Sequence, residues 1–377
     1  MDRRNFIKAT ALSNAGIIIT PTILSGTQSE SYNRKAEKIK IGQIGICHEH
    51  ASKINSLRKL SDLFEIVGIV DDRSSSAARF SGNSLKPYEG LKWMTEEELL
   101  NTPGLQAVTV ETSNSDLVAT AIRCADHNLA IHMDKPGGED LDLFHKLLQG
   151  CKEQNLPFQM GYMFRTNPAF LFCQKAVRKN WLGDIFEIQA DMCHDYGGSS
   201  YQQFLSNFEG GIMLNLGCHH IDFIVSMLGR PEKVTSFLKS TKGAANGAKN
   251  NCTAIIEYTN TIVSVSACDL KPDGIKQRRL KICGNKGTVE LSPLERFDEK
   301  PLQIQLTLRD GNEEYSKGTH IVDLGVQTDR YQDQFLELAK IIRGEIDNPY
   351  SYEHDYLTQE VLMAASGNIK WHKKRKF

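Results

Sequence analysis

The feature that most constrains this chain is an alternation that begins at Ile39. Five short apolar runs, IKIGQIG, FEIVGIVDD, LQAVTVE, LAIHMD and LPFQMGY, are separated by segments of helical spacing such as ASKINSLRKL and DLVATAIRCADH. Runs of that length bounded by helices suit strands buried on both faces, so the pattern predicts a doubly wound α/β sheet of Rossmann type over 38–160. From Gly161 onward the pattern changes. Long strand-like stretches (FEIQADMCHDY, VTSFLKS, CTAIIEYTNTIVSVSACD, RRLKICGNKGTVELS, LQIQLTLRD) and two closing helices predict an α+β unit over 161–377 with a large, mostly antiparallel open sheet. At 377 residues the chain exceeds what one core serves, at about 150 residues per domain.

In sheets of the first kind, ligands bind outside the carboxyl ends of the strands. The fourth run ends there as AIHMDKPGG. Pro136 has no N–H to extend a ladder and Gly137 and Gly138 free the backbone, so Asp134 and Lys135 are presented at a strand end, facing a small molecule or simply solvent. The first turn, GICHEH, sits where a dinucleotide fold keeps G-x-G-x-x-G. Only Gly45 of that pattern is present, with Cys47 and His50 in the other two glycine places, and His48 or His50 is expected beside the phosphates. A metal held by the near-contiguous Cys47, His48, Glu49 and His50 is not expected. The second run ends at Asp71, where a carboxylate takes ribose hydroxyls and repels a 2′-phosphate, so NAD is favoured over NADP despite the nearby Arg73.

The second chemical stretch is EGGIMLNLGCHHIDFIVSMLG. Asn215, His219 and Asp222 stand at i, i+4 and i+7, on one face of a helix starting after the two glycines. A histidine there accepts a proton as an alcohol is oxidised, or else is a core histidine bonded to Asp222.

These stretches together resemble the Gfo/Idh/MocA oxidoreductases, the family of glucose-fructose oxidoreductase and inositol dehydrogenase. The resemblance rests on MDKPGG, MGYMFRTNPAF, GGIMLNLGCHHID and ICGNKGTVEL and covers the chain from about Lys40 almost to its end. It implies hydride transfer to or from a secondary hydroxyl of a sugar, polyol or glycoside. Lys135 would polarise the hydroxyl and His219 take its proton. Asn215 stands where the family often has Asp, so it orients by hydrogen bonding alone. Thr112 and Asn114 are expected near the cofactor with Pro136, although Leu117 replaces a histidine usual in that segment. Substrate contacts are expected from Arg165, His194 and Tyr196, with Asp195 between the last two. Two alternatives stay open: a redox-neutral NAD-dependent enzyme that cleaves glycosides, and a non-catalytic ligand-binding protein on the same fold. The open sheet implies a homo-oligomer.

The first residues, MDRRNFIKATALSNAGIIITPTIL, combine a basic start with Arg3 and Arg4, a short apolar run and a polar segment, which is the pattern of a twin-arginine export signal. Periplasmic location is expected, with an uncleaved anchor as the variant, and the signal and linker occupy 1–37. Because that route carries folded proteins, NAD is expected to travel tightly bound. Nine cysteines without a C-x-x-C pair read as buried small hydrophobes, and a formal net charge of -1 gives no case for nucleic acid.

Overall fold

The computed structural model describes residues 37–71, 85–375 and 377. The signal segment and Arg73 lie outside them. The first sheet has six parallel strands: β1 (Ile39–Ile44), β2 (Phe64–Val70), β3 (Trp93–Met94), β4 (Ala107–Val110), β5 (Ala130–Met133) and β6 (Phe158–Met160). Their spatial order is β3-β2-β1-β4-β5-β6. The chain steps outward from β1 to β3, then reverses at β4, so the crevice between the carboxyl ends of β1 and β4 is where the fold opens for a ligand. Every residue of β4, β5 and β6 is buried, as the unbroken apolar runs predict for central strands. Helices α1 (Ile54–Lys59), α2 (Glu96–Leu100), α3 (Leu117–Asp126) and α4 (Leu141–Glu153) accompany this sheet.

The second sheet has eight strands, β7 (Ile185–Cys193), β8 (Lys233–Lys239), β9 (Asn251–Glu257), β10 (Ile262–Cys268), β11 (Arg279–Gly284), β12 (Gly287–Leu291), β13 (Pro301–Leu308) and β14 (Gly318–Val326), in the order β14-β13-β12-β11-β7-β10-β9-β8. Only the β7–β10 pair is parallel. Residues alternate strictly between buried and half-open along β9 and β10, the mark of a sheet covered on one face. The covering side holds α5 (Pro168–Arg178), α6 (Ser199–Leu205) and α7 (Cys218–Leu228), followed near the end by α8 (Gln332–Ile342) and α9 (Tyr352–Ala365). Of the last two helices, α8 joins the first sheet, while α9 touches β8 and β9 of the second and reaches beyond it. Phe335, Leu338 and Ala339 of α8 share a core with Ile39, Ile41 and Phe64 of the first sheet, and α9 packs against both α4 and α7.

A single π-helical turn, Met213–Gly217, precedes α7 and changes the expected geometry. Its wider winding adds a residue to the turn, so Asn215, His219 and Asp222 do not follow one regular α-helical face. None of the nine cysteines is in a disulfide, and all but Cys268 are buried.

Candidate active site

Lys135 leaves the end of β5 and is only 1% exposed. Its turn is pinned from a distant helix: Gln359 of α9 accepts from Gly137 N at 2.9 Å and donates to Gly138 O at 2.6 Å. On the other side, Lys135 N donates to Asp134 Oδ1 at 2.6 Å. The ammonium donates to Asn215 O at 2.9 Å and Asn215 Oδ1 at 3.1 Å. The Asn215 amide is itself oriented, because its Nδ2 donates to the Tyr201 hydroxyl at 3.0 Å. The π-helical turn is what lets both the carbonyl and the side chain of Asn215 face Lys135.

His219 lies against this group, with its ring 5.4 Å from that of Phe164, 6.1 Å from Tyr162 and 6.3 Å from His50. It is 1% exposed, yet neither ring nitrogen has a hydrogen-bond partner among the described residues. A core histidine bonded to Asp222 is therefore not what the fold contains. Burial holds the imidazole well below its ordinary pKa, with Lys135 and His50 adding to the effect, so it is neutral at physiological pH. Asp222 instead accepts from Arg165 Nε at 3.0 Å and Nη2 at 2.6 Å, and lies 3.1 Å from His354 Nε2.

Arg165, expected at the substrate, is held inside the protein. It is 4% exposed, pairs also with Asp355, and stacks over the Tyr350 ring at 3.9 Å. Its planar guanidinium ties the segment after β6 to α7 and α9, which fixes the helix carrying His219. His194 and Tyr196 stack at the end of β7, the first buried and the second 47% exposed. The Tyr196 ring lies 4.6 Å from Tyr201. Asp195 turns away and accepts from Asp273 N at 3.2 Å.

The first turn joins the site through side chains. Gly45 has φ +96°, and a Cβ there would collide with the backbone of Glu111 and Thr112, so β1 and β4 meet main chain to main chain. His48 points inward. Its backbone N–H donates to Glu111 O at 3.0 Å, its ring Nε2 lies 3.0 Å from Lys135 O, and its ring Nδ1 accepts from His50 N at 3.1 Å. The fully buried His48 ring is thus placed differently from the expected neighbour of phosphates. His50 Nδ1 lies 3.1 Å from Asp134 Oδ1, and burial lowers its pKa to about 4 although Asp134 opposes the shift. His48, His50 and Asp134 bring ligand-type atoms within 4.8 Å of one another, a convergence that Asp134 supplies from another strand. Their atoms are already engaged, His48 Nδ1 by His50 N–H and Asp134 by Lys53.

A cavity of about 470 Å³ opens beside the turn, lined by Cys47, Asn114, Pro136 and Gly138 and closed by Phe204 and Phe208. Asn114 is 7% exposed and its buried Nδ2 has no partner among the described residues. An orphaned amide donor at the β4 end of such a cavity, together with the Gly45 turn, fits a dinucleotide across the crevice. Thr112 is buried just before Asn114, and Asp71 directly follows the last residue of β2.

Residues 39–162 match the family described as an oxidoreductase family with an NAD-binding Rossmann fold, and 170–290 match the GFO/IDH/MocA C-terminal domain. The chain belongs to the Gfo/Idh/MocA family of oxidoreductases. Among its relatives in this family, the uncharacterized oxidoreductase YhhX of Escherichia coli is 27% identical over 40% of this chain and 43% of its own length. The scyllo-inositol 2-dehydrogenase (NAD(+)) of Bacillus subtilis is 25% identical over 37% of this chain and 40% of its own length. The chain thus spans less than half the length of either relative. An oxidoreductase from Agrobacterium radiobacter, solved with NAD+, L-tartaric acid and magnesium, shares the fold with a TM-score of 0.70 at 18% identity, over 88% of this chain and 96% of its own.

Sequence reasoning singled out Lys135, Asn215 and His219, and these three do converge. It missed Lys53, Tyr201 and Gln359, whose roles depend on contacts made across the fold.

Proposed function

We propose that this protein transfers hydride between bound NAD and a secondary hydroxyl of a sugar, polyol or glycoside. The observation that carries the reading is His219, a buried neutral imidazole with two unpartnered nitrogens beside a buried lysine. Gly45 and Cys47 would approach the pyrophosphate, Thr112, Asn114 and Pro136 the rest of the dinucleotide, and Asp71 the adenosine ribose. NAD supplies the hydride acceptor or donor. The remaining work falls to the chain. An ammonium has three N–H donors and Lys135 spends two on Asn215, which leaves one for the substrate oxygen. As that oxygen gains negative charge, the adjacent ammonium stabilises it and His219 takes the proton. Asn215 cannot relay a proton as a carboxylate would; it keeps the lysine aimed.

Carbohydrate is favoured as substrate by the inositol dehydrogenase relative, and NAD by Asp71 and by the NAD+ held in the fold neighbour. His219→Ala should lower kcat about 100-fold or more with NAD titration nearly intact. Near-normal kcat in that variant would make the histidine structural. Asp71→Ser should weaken NAD binding and narrow the gap to NADP, read by titrating both nucleotides. Equal affinity in the unaltered protein would sink the NAD assignment.

We further propose twin-arginine export to the periplasm with NAD already bound, on the strength of Arg3 and Arg4 and the folded-state route they specify. Nucleotide assayed after denaturing the purified protein tests this, and an empty protein overturns it. A second copy is proposed to cover the outward sheet face, where Phe237, Ile262 and Ile321 are 53–61% exposed; a monomer in solution would refute it.

A further inference from the structure

Two walls of side chains run from the Lys135–His219 pair and meet at Arg278. Along the first, Asn215 bonds Tyr201, Tyr201 lies against Tyr196, and Tyr196 stacks on His194. Along the second, His50 lies 5.8 Å from the Tyr331 ring, Arg330 sits over that ring at 6.0 Å, and Arg330 grips Glu295 at 2.7 and 3.1 Å. Arg278 joins them. It is 6% exposed, its Nε donates to Cys193 O at 2.9 Å beside His194, and its Nη1 is 3.9 Å from Glu295.

That last distance is too long for a hydrogen bond, and Arg330 already takes both Glu295 oxygens in a bidentate pair. Arg278 therefore presents the terminal edge of a buried guanidinium with no carboxylate of its own. The other charges on these walls are Arg330, Glu49, Glu295 and, behind Tyr201, Asp269. The histidines add none, since burial and the two arginines hold His194 at about 3 while His50 and His219 are also neutral. Behind His50, Lys53 is ion-paired with Asp134. Arg278 is joined to the reacting groups through His194, Tyr196, Tyr201 and Asn215.

We propose that Arg278 binds a carboxylate and that the substrate of this site is an acidic sugar, an aldonate or uronate, oxidised or reduced at a hydroxyl near His219. This rests on the oxidoreductase reading above. A planar two-donor edge matches the two oxygens of a carboxylate in a bidentate pair. The aromatic rings of Tyr196 and Tyr201 supply the apolar face that a sugar carbon skeleton requires.

The test titrates the NAD-loaded protein calorimetrically with D-gluconate and D-glucuronate, with sorbitol and glucose as neutral counterparts and glucose 6-phosphate as a dianion. At least one carboxylate is expected to bind ten or more times tighter than its neutral counterpart, by a charge-assisted pair of about that strength. Arg278→Gln should weaken that carboxylate about 100-fold, and Arg278→Lys less, because it keeps the charge and loses the fork. Thermal melting and NAD titration check that each variant is folded. No carboxylate preference in the unaltered protein, a preference that persists in both variants, or tightest binding by the phosphate would overturn the proposal. Arg278-dependent carboxylate binding without hydride transfer to or from any of these sugars would leave the anion site standing and overturn the oxidoreductase reading instead.

Discussion

Replacing Lys53 by Met tests the electrostatic support of the site. Lys53 is fully buried, ion-paired with Asp134, 3.1 Å from Glu111 Oε1 and 3.1 Å from His132 Nε2. Burial alone would lower its pKa, but Asp134 and Glu111 outweigh that and raise it. Burial pushes the Glu111 carboxyl well above the usual range, with Asp134 adding and Lys53 opposing. Burial pushes Asp134 up too, yet His48, Lys53 and His50 together hold it well below. The resulting inventory is one ammonium, one carboxylate and one neutral acid, a balanced set only while Lys53 is present.

Lys53→Met leaves the Asp134 charge buried without its cation, and breaking such a pair costs about 3–5 kcal/mol. For a chain of this size that is a fall in Tm of about 6–10 °C, at about 2 °C per kcal/mol. Adding Asp134→Asn removes the stranded charge, so the double variant should recover all but about 1–2 kcal/mol. Thermal and urea unfolding of the four proteins in the cycle measure the coupling. Simple additivity, or a loss under about 1 kcal/mol in Lys53→Met, would refute the inventory. Asp134 also holds Lys135 N and His50, so activity should fall in Lys53→Met even at temperatures where the variant is fully folded.

Two further outcomes follow from the same geometry. Tyr201→Phe removes the acceptor that orients the Asn215 amide, so Lys135 loses part of its aim and kcat should fall about 10-fold, equivalent to about 1.4 kcal/mol; an unaltered kcat in steady-state assays would remove Tyr201 from the positioning chain. Burial lowers His132 to about 3, with Lys53 assisting, and His220 to about 4. Since the unfolded chain takes up these protons near pH 6.5 and the folded one does not, stability is complete above that pH and declines as pH falls toward 4. Each histidine should then forfeit about 2 kcal/mol between pH 6.5 and 5 in urea unfolding, and a flat profile would mean they carry protons in the fold.

The parts of the molecule legible in the sequence are those whose cause is local. Period and length identify central strands, and a proline and two glycines fix where Lys135 emerges, whereas it is the family resemblance of GGIMLNLGCHHID that implies His219 beside it. The π-helical turn has no comparable local mark, because MLNLG is as compatible with α as with π winding until Lys135 supplies a partner for both Asn215 oxygens. Lys53 reads in ASKINSLRKL as an ordinary helix lysine, since its partner Asp134 is 81 residues away. Arg278 is likewise one of several basic residues in KQRRLK, and only its seat on Cys193 O separates it from the exposed ones. In α8 the apolar spacing of Phe335, Leu338 and Ala339 announces a buried face but not which sheet receives it.

His48 marks the limit most clearly. Read against G-x-G-x-x-G, a histidine there belongs beside a phosphate, because in that pattern the turn is held by backbone alone and side chains face the ligand or are absent. Here the turn has few glycines, and what replaces their close packing is His48, whose backbone N–H bonds Glu111 O while its ring joins Lys135 O and His50 N. The departure from the pattern that looked like a weakened cofactor site is therefore a cross-brace. It ties the first turn to the lysine, and Cys47, immediately before it, is the residue left facing the cavity.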